Sequence, residues 1–461
     1  VKASSSTQPT LLTIAWPIFV EQTLRILIGT VDTFMVSHVS DGAVAALGVA
    51  NQFVVLALIC FNFIGIGASV VITHHIGAGD TQGAKKIVTT AISVNTWIGL
   101  IVSLVAYFFA APLLRLMQLP PDLMPYAQPF LALIGGSLFM EAMNGAIGAS
   151  LRAHGYTKDT MVVTMIQNVV NIIGNCVLLF GLFGAPKMGV TGVALSGVFS
   201  RVVASIAMWI ILERRLKLRL RAQDLIALQF DRIKRILHIG LPAAGEHMSY
   251  WLSLMVITSF VARLGAESLA QMTYTQQVQR LVILFSISLG LGTEIVIGRM
   301  IGAGQFEAAY REVMKNLRTG FLIATGAIVV VAIFAPQLLG LFSHDPVIIA
   351  GGTLLLRLAI IYEPGRVFNI VIINSLRATG DARFPVQIAM FSEWFFGVPL
   401  AWFLCMKLHW GLPGVWVAMM TEEWVRGLIM YQRWTRRSWM KHALYSREQV
   451  SGAIIPVVPE T

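Results

Sequence analysis

"IGAG" at residues 76–79 is written again at 301–304, and the 225-residue offset between the two copies recurs along the chain. The same offset relates Pro17 to Pro242, Glu21 to Glu246, Gly65 to Gly290, Gly67 to Gly292, Asn144 to Asn369 and Gly155 to Gly380. It also lays "SLRA" at 150–153 on "SLRA" at 375–378. Farther on it slips to 222, where "MGVTGVA" from Met188 meets "WGLPGVW" from Trp410. A period held over so much of the chain marks one structural unit written twice.

Composition says what the unit is made of. Hydrophobic residues are 56% of the 461 and charged residues 12%, against about 25% charged in soluble domains. Mean hydropathy is +0.74. The chain therefore belongs in a membrane. A spanning helix needs about 20 mostly apolar residues, and twelve runs meet that need: 11–36, 50–76, 88–112, 127–149, 160–183, 189–212, 237–262, 274–298, 316–341, 349–374, 386–407 and 412–434. Their continuous apolarity excludes a barrel, whose strands alternate in polarity over about ten residues. The expected fold is an all-α polytopic membrane protein with twelve transmembrane helices in two pseudo-twofold-related six-helix bundles. The expected division is an N-terminal lobe at 1–212, a basic inter-lobe loop at 213–236, a C-terminal lobe at 237–434 and a cytoplasmic tail at 435–461. Six spans per copy return the chain to its starting side, so the repeats are parallel and their axis follows the membrane normal. Such a pair of bundles is expected to face across a central cleft and to work by alternating access.

A net charge of +11 raises the question of nucleic acid, which the placement of the charges answers. With loops and the span ends beside them assigned alternately, 24 Lys and Arg fall on the side of the termini, Arg318 and Arg433 among them, and four on the other: Arg115, Lys187, Arg263 and Lys407. The positive-inside rule then puts both termini in the cytoplasm of a cell (inner) membrane protein. The block "ERRLKLRLRAQDLIALQFDRIKR" from Glu213 reads as a topology signal and an interfacial segment on anionic lipid. "VKASSSTQPT" at the start lacks a signal peptide's basic region and cleavage site, so the first span is expected to be an uncleaved insertion signal. Cys60, Cys176 and Cys405 lie in separate runs and are expected to pack rather than pair. "GAGDTQGAKK" from Gly77 does not fit GxxxxGK[ST], which excludes an ATP-binding loop. The adjacent His74 and His75 cannot form an i,i+4 metal pair and are placed at the membrane interface. Neither a hydrolytic triad nor a metal-ligand set is found in a span, so an enzyme, a metal and a cofactor are not expected.

The informative residues are the carboxylates inside spans, which are costly there and mark cavities or partners. Glu21 with Arg25 and Glu422 with Arg426 are i,i+4 pairs, and Glu363 with Arg366 and Glu423 with Arg426 are i,i+3 pairs. Glu294 and Arg299 fall near a cytoplasmic end and are expected to be solvated. Asp32, in "GTVDTFMVSH", has no Lys or Arg within one turn. It shares a helix face with Glu21, about 16 Å away along the axis, and Pro17 upstream favours a bend. Asn168, Asn171 and Asn175 form a stripe on the fifth span that is its expected neighbour. The repeat acts as a control, because Asp32, Asn171 and Asn175 become Ile257, Phe396 and Leu400 in the second copy. The scaffold can thus be written without these groups, which points to function in the first lobe. Burial disfavours the ionised form of a carboxyl group, so a proton is the natural ligand of such a site.

Taken together, "VDTFMVSH", "IGAGD", "SLRAHG", "NVVNIIGNCVLLFGLFG" and "GVTGVA" resemble the multidrug and toxic compound extrusion (MATE) family over nearly the whole chain. The resemblance implies export of organic, often cationic, solutes in exchange for protons or sodium ions. It assigns cation or proton coupling to Asp32, helix bending to Pro17, and completion of the site to Asn171 and Asn175. The sodium-coupled branch carries a seventh-helix Glu and a tenth-helix Asp where this chain has Tyr250 and Arg366, which argues against a second-lobe sodium site. The expected mechanism has outside protons neutralise Asp32, release its bonds to the asparagines, and let the first helix bend at Pro17 to expel substrate. Glu21, Glu141, Glu246, Glu393 and Trp251 are candidates for lining the substrate cavity, with Trp16, Phe53 and Phe395 as further apolar wall. The expected partners are small drug-like molecules and membrane lipid, with no nucleic acid and a monomeric state. A lipid-linked oligosaccharide flippase of the same superfamily is the alternative, disfavoured because the candidate cavity is rich in acids and no span follows Arg437.

Overall fold

The structure is a computed structural model that describes residues 11–226 and 229–451. Residues 1–10, which carry the expectation about a leader, and the last part of the tail lie outside the described residues. Every regular element among the described residues is helical. In chain order the principal helices are α1 (Leu11–Ser37), α2 (Asp41–Gly77), α3 (Thr81–Phe108), α4 (Leu138–Ala153), α5 (Thr157–Phe180) and α6 (Gly189–Leu216). They continue as α7 (Phe230–Ala262), α8 (Ala266–Gly302), α9 (Phe306–Ile333), α10 (Pro346–Ala378), α11 (Arg383–Lys407), α12 (Gly411–Thr435) and α13 (Met440–Ser451).

The duplicated sequence folds into duplicated elements. Helices α2 and α8 each run 37 residues, and α3 and α9 each run 28, with ends 225 positions apart. The turns match as well. Gly79 and Gly304 take φ of +77° and +73°, and Gly155 and Gly380 take +86° and +91°. At each turn the amide three residues past the helix reaches back over the last helical turn: Asp80 N to His75 O at 2.9 Å, Gln305 N to Met300 O at 2.9 Å, Tyr156 N to Leu151 O at 2.9 Å and Asp381 N to Leu376 O at 3.1 Å. A left-handed glycine closing a helix in this way has no equal among residues that carry a Cβ. Gly155→Ala is therefore expected to lower stability by about 1–2 kcal/mol. Gly65→Ala, where a new Cβ meets only Ala149 Cβ at an ordinary 3.5 Å, is expected to be neutral or stabilising. Thermal unfolding of the purified protein checks both.

Length and apolarity support nine membrane spans among the described residues, or ten when Pro121–Gly135 and α4, which meet at 43°, count as one bent span. Twelve were expected. The two long helices outside that count are α7, whose apolar run is interrupted by Glu246, His247, Ser249 and Tyr250, and α12, which carries Glu422, Glu423 and Arg426.

The chain divides into two compact units, 20–72 with 81–241, and 11–19 with 73–80 and 242–451. In the first, α5 packs on α6 and α3 on α4. Leu47, Phe61, Leu114, Phe130, Leu138 and Leu179 belong to its core. Gly99 lets α3 approach α4 so closely that a Cβ there would lie 2.6 Å from that of Ala142. In the second, α10 is the hub, packed by α8, α9 and α12. Its end at Ala378 is covered by α13, whose Ser446 Oγ donates to Thr379 O at 3.3 Å. Next to it, Trp434 and Trp439 stack with centroids 4.5 Å apart. Helix α1 runs unbroken through Pro17.

Of the three cysteines, Cys405 is buried as expected, Cys176 is half-buried and Cys60 is exposed on α2; all are free. The basic block is partly neutralised locally, by Arg215 to Asp159 at 2.7 Å and Arg219 to Glu213 at 2.7 Å. The middle of the block is pinned to α3 by Trp97 Nε1, which donates to Leu225 O at 2.8 Å.

Candidate functional site

In the unit built from α2 to α6 and the latter part of α1, Asp32 meets α5. Asn175 Nδ2 donates to Asp32 Oδ1 at 2.7 Å and to Asn171 Oδ1 at 3.3 Å. The two asparagines are buried and the carboxylate is half-buried. Asn168 lies on the same stripe but turns back to its own helix, donating to Thr164 O at 2.8 Å. Asn171 joins Asp32 through Asn175. Three buried amide atoms, Asn168 Oδ1, Asn171 Nδ2 and Asn175 Oδ1, have no hydrogen-bond partner. Unpaired buried amide atoms are costly, and here they leave the stripe able to donate to an ionised acid and accept from a protonated one. Ser196 Oγ on α6 donates to Asn171 O at 2.8 Å, which fixes the backbone that presents the stripe.

The residue that sequence reasoning missed is Arg201 on α6. Its Nη1 donates to Ile134 O at 2.7 Å and Ser137 Oγ at 2.6 Å, and its Nε lies 3.7 Å from Glu141 Oε2. Its guanidinium is also within electrostatic reach of Asp32. Glu141 in turn takes Arg25 Nη1 at 3.2 Å, and Arg25 Nη2 lies 3.1 Å from Glu21. Glu21 closes the chain of charges. Arg152 Nη1 donates to its Oε1 at 2.8 Å and Thr160 Oγ1 to its Oε2 at 2.7 Å. Glu21 and Glu141, candidates for the cavity, are thus held in an alternating network of two acids and three guanidiniums, whose Arg201 end is within electrostatic reach of Asp32. An arginine alone in an apolar run, in "GVFSRVVA", is the signal that would have found Arg201.

The second unit repeats one link of that network. Arg377 Nη2 donates to Glu246 Oε2 at 3.0 Å, and this pair is the 225-residue copy of Arg152 with Glu21. Glu294, expected to be solvated, is buried 3.7 Å from Arg377. Its place in the helix-packed interior of α8 overrides its nearness to the chain turn. Around α10 to α12 a separate cluster forms. Arg426 faces Glu393 at 3.1 Å, Glu422 at 3.2 Å and Glu423 at 3.1 Å. Ser249 Oγ donates to Glu393 Oε2 at 2.5 Å. The local pairs read from spacing are all formed. Arg366 lies 2.7 Å from Glu363 and 3.7 Å from Glu423, with its guanidinium 4.2 Å from the Tyr362 ring centre. A tethered cation therefore stands among these acids. Trp251 is exposed and edges onto Tyr250 at 6.2 Å between centroids, while Trp16 and Phe395 are also exposed. Near the duplicated turn, His74 is buried with Nε2 2.7 Å from Ala378 O, and His75 Nδ1 is 2.9 Å from Asp80 Oδ2. Among the described residues no group of acids, cysteines and histidines has the arrangement of a metal site.

The model of the MatE family matches this chain twice, over residues 17–177 and 242–403. The chain belongs to the MATE family. Each match covers one copy of the internal repeat, so the family's unit and the repeat read from the sequence coincide. Among curated relatives, the chain is 44% identical over 434 residues to "Uncharacterized transporter YisQ" of Bacillus subtilis (strain 168), covering 94% of this chain and 95% of that one. It is 25% identical to "Probable multidrug resistance protein NorM" of Thermotoga maritima, with 95% of each covered. Its fold matches a crystal structure of MATE in the bent conformation with a TM-score of 0.85 at 20% identity, over 94% of this chain and 96% of that one. A MATE in the straight conformation gives 0.84 over the same shares. The protein is a multi-pass membrane transporter of the MATE fold.

Proposed function

We propose that this MATE transporter is a secondary active multidrug efflux antiporter, exporting organic cationic or amphiphilic solutes in exchange for protons by alternating access. The observation that carries the reading is the bond from Asn175 to Asp32 at 2.7 Å, with Arg201 as the resident counter-charge. A sodium ion would have to share Asp32 with the nearby Arg201 guanidinium and find a coordination shell, whereas a proton adds to Asp32 without one. A protonated Asp32 would become a donor, with the unpaired Asn175 Oδ1 as its acceptor. It would also cease to attract Arg201, leaving that guanidinium to Glu141 and loosening α1 from α5 and α6. Pro17 gives α1 a place to bend once released. Deprotonation on the other side resets the site. Export of drug-like solutes is supported by relatives such as the NorM of Thermotoga maritima. Cytoplasmic termini in an inner membrane are supported by the 24-to-four distribution of cations in the loops and span ends.

The test is transport of a lipophilic cationic dye in proteoliposomes under an imposed pH gradient or an imposed sodium gradient. The pH gradient alone is expected to drive it. A second expectation separates the two ions at the level of one residue. Arg201→Met removes the resident counter-charge from Asp32 and Glu141, so sodium is expected to stimulate transport by this variant and not by the wild type. An equal sodium response in both proteins would remove Arg201 from the account of ion choice.

A further inference from the structure

Arg25, Arg201, Arg366 and Arg426 all face carboxylates, but Arg357 on α10 faces none. It makes no ion pair and no hydrogen bond among the described residues. It is exposed on a stripe of α10 whose other members, Val347, Ala350, Leu354 and Ile361, are exposed and apolar. It lines a cavity of about 520 Å³ with His344, Pro336, Pro346 and Ile349, and that lining contains no acid. The neighbouring Asp345 is turned to the helix start, its Oδ1 accepting from Val347 N at 2.8 Å.

Depth defines what can fill the groove. Helix α10 has 33 residues and is about 50 Å long. Its Ala378 end is the one capped by the C-terminal helix α13, so His344 and the start of α10 lie at the opposite end of the unit. Arg357 is about 16 Å from that start, which sets it roughly 6 Å inside a centred hydrocarbon layer of about 30 Å. An extended arginine at that depth reaches the headgroup boundary and no farther. Lipid on one side, an unpaired guanidinium below and an imidazole above call for an anion with an apolar tail. We propose that the groove holds one phospholipid of the leaflet away from the chain termini. Its phosphate pairs with Arg357 and His344, and an acyl chain follows Leu354 and Ile361 toward the membrane centre.

The test is native mass spectrometry of the full chain in detergent, titrated with phosphatidylglycerol. The wild type is expected to retain one lipid at a concentration roughly fivefold or more below that needed by Arg357→Leu. Arg357→Lys, which keeps the cation, should stay close to the wild type. His344→Ala, an exposed turn residue, should weaken retention in the same direction and serves if the leucine variant does not fold. Soluble glycerol 3-phosphate should not displace the lipid. Undiminished retention in the leucine and alanine variants would overturn the proposal. Displacement by glycerol 3-phosphate would overturn it too, by showing a site for free phosphate esters in place of a lipid.

Discussion

Asp32→Asn is expected to abolish pH-driven accumulation of a cationic dye while leaving the folded protein and its dye binding in place. One pH unit is worth about 1.4 kcal/mol per proton exchanged, or about tenfold in the substrate gradient it sustains. A wild-type antiporter should reach a gradient on that scale, and a chain without a protonatable group at position 32 should reach none. The substitution is conservative where it matters for structure. The amide keeps the shape of the carboxyl group and an oxygen for Asn175 Nδ2, whose bond at 2.7 Å joins α1 to α5 at this level of the helices. What it removes is the charge that alternates. Full gradient-driven transport by the variant would show that another group carries the proton.

The second large effect is one of stability. Arg426 is 5% exposed and sits between Glu393, Glu422 and Glu423, each within 3.2 Å. Arg426→Met leaves three buried carboxylates without the cation they share. Breaking a buried pair in this way costs about 3–5 kcal/mol, enough to lower the unfolding temperature and the yield of monodisperse protein. Arg25→Met is the comparison. Its side chain is 32% exposed and Glu21 keeps Arg152 and Thr160, so the loss should be distinctly smaller. If Glu422→Gln added to Arg426→Met recovers part of the stability, the cost is electrostatic; if it recovers nothing, lost packing explains the effect.

How much of this could be read from the sequence depends on the range of each interaction. The fold was legible because the repeat is long and the turns are marked by glycines that no other residue replaces well. The partnership of Asp32 with Asn175 was legible because three amides on one helical stripe in lipid need a reason, and the second copy drops them. The i,i+3 and i,i+4 ion pairs were legible because a helix brings such positions together whatever surrounds it. Pairing across helices was not. Glu21 and Arg152 are 131 positions apart, as are Glu246 and Arg377, and nothing local couples them. Yet both partners belong to the repeated set, and residues retained together in two copies invite being paired. Arg201 was missed because its neighbours at Ile134, Ser137 and Glu141 come from another helix. Glu294 was misplaced because chain position near a turn does not report burial. The span count fell short where polar residues inside α7 and the charges inside α12 lower the hydropathy that reveals the others.

The central claim is that a proton on Asp32 and an organic cation exclude one another. It is tested most directly by adding a lipophilic cationic dye to the purified protein in weakly buffered detergent solution and following the pH. The wild type is expected to release protons in proportion to the dye bound, with sodium chloride at the same ionic strength releasing none, and Asp32→Asn should bind dye without release. Equal proton release by the Asp32→Asn variant, or release by sodium matching that by dye in the wild type, would contradict the account.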